Sequence, residues 1–215
     1  MPWHLLLIAF GVQLAHAKVL DIASHDGRWS YAFAGAGAAE VHGVEARSAL
    51  IKQYEDFPET DFKQRVTFTH GDLYAELDRL IAQNAQFAVV ALFGILYHVM
   101  DHYGLLARVK LLKPKVIIID SEFMSKPNPM MQITRESTDN VLNATGIIEG
   151  QDETLVGIPS VGAMERFAAV LKYRLVWSDW DSLAKDERRG MRDYFRDTQK
   201  CRRTCALYPL EDDVA

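Results

Sequence analysis

Short apolar runs rich in β-branched residues recur along the chain, separated by amphipathic stretches that fit helical spacing. Val19-Leu20-Asp21-Ile22, Val41-His42-Gly43-Val44, Val66-Thr67-Phe68-Thr69, Phe87 to Phe93 and Val116-Ile117-Ile118-Ile119 read as strands buried in a sheet. Between them the pattern predicts helices over 30–38, 48–57, 73–83 and 102–112. Regular alternation of strand and helix argues for an α/β, doubly wound, mostly parallel sheet with helices on both faces. The rhythm breaks after Asp120. Residues 123–160 carry Pro127, Pro129, Pro159, Asn140, Asn143, Gly146, Gly150 and Gly157, too many breakers for a simple crossover. A long irregular insert in a compact domain predicts a lid or binding loop on the substrate side. Beyond it, 161–171 reads as a helix, and 173–180 and 202–208 as an antiparallel pair of strands. These would complete a seven-stranded sheet in one domain spanning 1–215.

The turn after the first strand is the most informative. Lys18-Val19-Leu20-Asp21-Ile22 leads through Ala23-Ser24-His25-Asp26 to Gly27, where the backbone can come close to a ligand. The second strand ends in Glu45, 24 positions after Asp21, near where a doubly wound fold places an acid for ribose hydroxyls. An ordinary strand pair with a solvated Glu at its tip is the plainer alternative.

These segments resemble the motifs of class I S-adenosylmethionine-dependent methyltransferases. Val19 to Gly27 and Val41 to Glu45 are similar to the first two, Gly71-Asp72-Leu73 to the third, and Phe93-Gly94 to the fourth. Leu112-Lys113-Pro114 precedes the fifth strand, where the family reads L-x-P-G. The resemblance implies S-adenosyl-L-methionine as cofactor, held by Asp21, Ala23, Ser24, His25 and Gly27 of the first loop. It further implies Glu45 on the ribose hydroxyls, Asp72 on the adenine amine and Leu73 on the adenine ring. Phe93 and Gly94 would line the methionine portion. Two of the family's three loop glycines are replaced, by Ala23 and His25.

Methyl transfer to a hydroxyl needs a close, collinear approach and removal of a proton. His98 follows the fourth strand and is the candidate base, with Asp101 as its orienter; Asp101 as a helix N-cap is the alternative. His102 lies one helical turn from His98, and a surface or capping role competes with a place in the same site. Asp120 and Glu122 are two apart in a strand and share one side, which with Glu136 suggests hard oxygen ligands for Mg²⁺. Loop capping and solvent contact are their plain alternatives. The stretch 23–30 together with Ile119-Asp120-Ser121-Glu122 is similar to small bacterial sugar O-methyltransferases. Gly94-Ile95-Leu96-Tyr97-His98 and Gly157-Ile158-Pro159-Ser160 are similar to tRNA wobble-uridine carboxymethyltransferases. The leading expectation is methyl transfer to a hydroxyl of a small molecule, a sugar or glycoside. The alternatives are an RNA-modifying transferase and a non-catalytic nucleotide-binding protein.

Composition narrows this. The 215 residues are 49% hydrophobic and 25% charged, enough for one sizeable core, and the net charge of −5 argues against a nucleic-acid partner. The basic run 185–203 is interleaved with acids and reads as a solvated helix face. Cys201 and Cys205 read as packed thiols in a reducing compartment, which predicts a cytoplasmic protein. The apolar run Leu5 to Phe10 mimics a signal peptide but lacks a preceding Lys or Arg; a buried helix before the first strand is the preferred reading. It is too short to span a membrane, so no membrane partner is expected, and homodimerisation is left open.

Overall fold

The first strand organises the molecule. In the computed structural model, which describes residues 10–210, β1 (Lys18–Ile22) is wholly buried beyond its first residue. It pairs in parallel with β2 (Glu40–Glu45) on one side and β4 (Val89–Phe93) on the other. Adding β3 (Val66–His70), β5 (Val116–Met124), β8 (Tyr173–Trp177) and β9 (Lys200–Pro209) gives a seven-stranded sheet of order β3-β2-β1-β4-β5-β9-β8. β9 runs antiparallel to both its neighbours, β5 and β8. The order reverses between β1 and β4, so a crevice opens beyond their carboxyl ends, where doubly wound folds bind ligands.

Alternate residues of each strand feed the two faces. Leu20, Ile22, Val90, Leu92, Ile117 and Ile119 pack against α3 (Leu73–Ala82), α4 (His102–Leu111) and α5 (Val161–Val170). Val19, Val41, Val89, Ala91, Val116 and Ile118 pack with α1 (Arg28–Gly35) and with Phe10 and Leu14. Residues 10–14 are helical, so the buried-helix expectation holds there, and the rest of the apolar run lies outside the described residues. Among the described residues, no helix is long and apolar enough to cross a membrane. Cys201 and Cys205 are free and buried on β9.

Three expectations are corrected. The helix predicted over 48–57 is only α2 (Ser48–Lys52), followed by a 3₁₀ turn, because Phe57 precedes Pro58 and is extended. The 123–160 insert is not wholly irregular: β6 (Met131–Ser137) and β7 (Glu153–Pro159) form a separate two-stranded antiparallel sheet. The run 185–203 is not a solvated helix face. It contains the 3₁₀ turn Arg192–Tyr194 and the start of β9, and Arg202 is largely buried.

Candidate active site

The loop after β1 keeps a glycine-like backbone without the glycines. Ala23, His25 and Gly27 have φ of 58°, 56° and 80°, all in the left-handed region. Left-handed backbone costs a residue with a Cβ about 1–2 kcal/mol, so the surroundings must hold the loop in place. Ser24 N–H donates to the Val44 carbonyl at 3.0 Å and Gly27 N–H to the Ser24 carbonyl at 2.9 Å. Glu45, 6% exposed, accepts from His25 N–H at 3.0 Å and from Arg47 N–H at 2.9 Å. Its carboxylate ties the first loop to the end of β2.

Gly27 and Asp21 support this loop and are not among the residues lining the cavity beside it. A Cβ at Gly27 would fall 2.6 Å from the rings of Phe68 and Tyr54. Asp21 is buried and accepts a 2.6 Å hydrogen bond from Ser30 Oγ. Burial pushes its pKa up to about 7, with the Ser30 bond opposing and the Glu45 charge adding to the rise.

The cavity beyond the strand ends has a volume of about 1480 Å³. Ala23, Ser24, His25, Glu45, Asp72 and Leu73 line it, as do Phe93 and Gly94. Asp72 caps α3 as well: its Oδ1 accepts from the Tyr74 and Ala75 amides, both at 3.0 Å. Ser24 Oγ and His25 Nδ1 are buried and have no hydrogen-bond partner among the described residues. Segment 141–147 of the insert lines the same cavity. A second pocket of about 450 Å³ adjoins it, and Tyr97, His98 and Arg202 border both.

His98 ends a 3₁₀ turn (Leu96–His98), and its Nδ1 lies 2.7 Å from Glu136 Oε2 on β6. Asp101 is not its partner. Its Oδ1 accepts from Gly104 N–H at 2.8 Å, which caps α4. His102 is buried against Phe167, with Nδ1 3.1 Å from the Met100 carbonyl, and lines neither pocket. Burial holds its pKa below the usual value.

The expected Mg²⁺ ligands are corrected too. Asp120 is fully buried and bonds Arg202 Nε, Thr204 Oγ1 at 2.6 Å and Tyr194 Oη at 2.6 Å. Glu122 pairs with Lys200 at 3.0 Å and Arg196 at 3.3 Å, and Glu136 turns to His98. With each carboxylate committed to its own cation or ring, the three do not form an oxygen cage, and no such cluster exists among the described residues. Burial works against the Arg202 charge, but Asp120 outweighs it and keeps the guanidinium pKa above its ordinary value. Segment 141–147 lies within the insert expected on the substrate side, whereas Tyr97 and Arg202 escaped the sequence reading; the signal for Tyr97 was its place beside His98 after β4.

No family model matches the chain, and no curated protein matches it by sequence. Solved structures match over most of its length. The N-terminal domain of EvdMO1, solved in the presence of SAH and D-fucose, superposes with a TM-score of 0.70 at 14% identity, covering 94% of this chain and 81% of that one. An S-adenosylmethionine-dependent methyltransferase from Mesorhizobium loti gives 0.64 at 13% identity, covering 94% and 95%. The Burkholderia thailandensis 1,6-didemethyltoxoflavin-N1-methyltransferase, with bound 1,6-didemethyltoxoflavin and S-adenosylhomocysteine, gives 0.57 at 16% identity, covering 97% and 76%. The chain has the fold these methyltransferases share. At such identities the likeness reaches the Rossmann-like architecture, and the small molecules named with those structures, D-fucose and 1,6-didemethyltoxoflavin, differ in kind.

Proposed function

We propose that this protein is an S-adenosylmethionine-dependent methyltransferase that methylates a hydroxyl of a small polyhydroxylated acceptor, a sugar or glycoside. The observation that carries the reading is the His98–Glu136 pair on the wall between a large cavity at the switch point and a smaller polar pocket. The large cavity suits the cofactor. Ser24 Oγ is a buried polar atom without a hydrogen-bond partner, His25 Nδ1 has only Asp26 Oδ1 at 3.5 Å, and the Glu45 and Asp72 carboxylates on the lining would accept from ribose hydroxyls and an adenine amine. When bound, S-adenosylmethionine supplies an electrophilic methyl group on a sulfonium.

The chain's own residues do the rest. With Glu136 ionised, His98 carries its proton on Nδ1 and keeps a lone pair on Nε2. That nitrogen takes the hydroxyl proton of the acceptor as the oxygen attacks. The smaller pocket supports a neutral, hydroxyl-rich acceptor. Glu122, Glu136 and Asp193 balance Arg135, Lys200 and Arg202 there, so donors and acceptors are plentiful and net charge is small. The likeness to the EvdMO1 domain solved with D-fucose supports the same reading.

Calorimetry with S-adenosylhomocysteine tests the cofactor. Glu45→Ala is expected to weaken binding by about 1.5–3 kcal/mol through lost charge-assisted hydrogen bonds. Unchanged affinity in that variant, or tight NADH binding by the parent, overturns the assignment. Labelled methyl transfer to a panel of sugars, glycosides, amines and RNA, read by mass spectrometry, tests the acceptor; label only on nitrogen rejects the hydroxyl, and label only on RNA rejects the small-molecule acceptor.

A further inference from the structure

The loop joining β6 to β7, residues 138–152, touches the site at two separated points. At one, Arg47 Nη2 donates to the Asn140 carbonyl at 3.3 Å, two residues beyond Glu45. At the other, Ala144 N–H donates at 2.9 Å to Glu136 Oε2, the same oxygen that meets His98 Nδ1. The loop holds its own shape: Thr138 Oγ1 donates to the Gln151 carbonyl, and Gln151 Oε1 accepts from the Ile147 and Ile148 amides. Its apolar side chains are the anomaly. Val141, Leu142 and Ile147 line the large cavity yet are 54%, 62% and 84% exposed. Apolar groups gathered over a cavity without a protein partner gain most from covering a ligand inside it.

We infer that this loop couples occupancy of the large cavity to the orientation of His98. The inference rests on the proposed methyltransferase reading. Val141, Leu142 and Ile147 on the cavity lining would cover a bound nucleoside and hold the loop in this seated arrangement. The seated loop presents the Ala144 amide to Glu136, which fixes the carboxylate and, through it, the imidazole. Ala144 is thus a positioning residue acting through Glu136.

Hydrogen-exchange mass spectrometry of the parent protein tests this, after calorimetry has established that S-adenosylhomocysteine binds. The ligand is expected to slow exchange across 138–152 by about tenfold or more. Ala144→Pro removes the amide and is expected to lower kcat by about tenfold, part of a positioned base's effect, with ligand affinity retained. Ala144→Gly restores the N–H and should recover most of that loss. In a Glu136→Ala background, Ala144→Pro should add less than about twofold, because its route to His98 is already gone. If the ligand fails to bind, the methyltransferase reading itself falls. If it binds and exchange across 138–152 is unchanged, or the Ala144→Pro penalty is the same in both backgrounds, the coupling is refuted. Should Ala144→Pro not fold, the exchange measurement on the parent decides alone.

Discussion

Asp21 makes the pH dependence of stability a direct test of how the loop is supported. It is buried under the Ala23–Gly27 turn, bonded to Ser30 Oγ and close to the Glu45 charge. Burial pushes its pKa from the ordinary 3.8 to about 7. Below 3.8 both folded and unfolded chains hold the proton, and the folded state carries no penalty from this group. Between 3.8 and about 7 the unfolded chain releases a proton that the folded chain retains, so this contribution to stability falls as pH rises. The full rise corresponds to about 4 kcal/mol, lost by neutral pH. Asp21→Asn keeps the shape and an acceptor for Ser30 but carries no charge. Urea unfolding of parent and variant across about pH 4 to 8 should show near-equal stability at the acid end and a growing advantage for the variant, approaching about 4 kcal/mol at pH 8. Glu76, held below the ordinary carboxylate range by Arg79, loses its own stabilisation in acid equally in both proteins and cancels in the difference. Parallel stability curves would refute the argument.

Asp120→Ala should cost about 3–5 kcal/mol in urea unfolding, because it strands the buried Arg202 guanidinium; adding Arg202→Met should recover much of the loss, and a cost below about 1 kcal/mol would mean the pair is effectively solvated. Gly43→Ala should destabilise by about 1–3 kcal/mol. Its Cβ would fall 2.5 Å from the Phe68 ring and 2.8 Å from Ser24 Oγ, and an unchanged melting temperature would show that the ring moves freely. His98→Ala should lower kcat by about a hundredfold or more with S-adenosylhomocysteine affinity retained, and His98→Gln should not rescue it; parental turnover would remove His98 from the chemistry.

The inner strands β1, β4 and β5 were legible because each is an apolar run largely buried on both faces, and that demand leaves little freedom in composition. The β6–β7 hairpin was not. Met131–Ser137 has no fully buried residue, so its exposures follow no strict alternation, and prolines and glycines flank it. The His98 partner was missed for a different reason. Spacing arguments search along a helix and found Asp101, whereas Glu136 arrives from 38 residues away on a separate strand. Sequence offers no local trace of such a contact. The carboxylates of β5 were correctly placed on one side of a strand, but their cations come from β9 and the segment before it, within a run whose mixed charge resembled a solvated surface.

The first loop shows most clearly why motif and geometry separate. A left-handed residue is written as glycine in a motif because glycine adopts it without strain. The physical requirement, however, is the backbone path, and this chain meets it at Ala23 and His25 with side chains present. The strain of two such residues, on the order of 1–2 kcal/mol each, is set against the bonds that Val44 and Glu45 make to the Ser24 and His25 amides. Those bonds come from β2, and β2 is held in register with β1 over five residue pairs. The loop is therefore specified by the strand beside it as much as by its own residues. Ala23 and His25 hide the glycine motif in the sequence while the backbone path stays in the fold, and His25 brings to the cavity lining an imidazole whose Nδ1 lies 3.5 Å from Asp26 Oδ1.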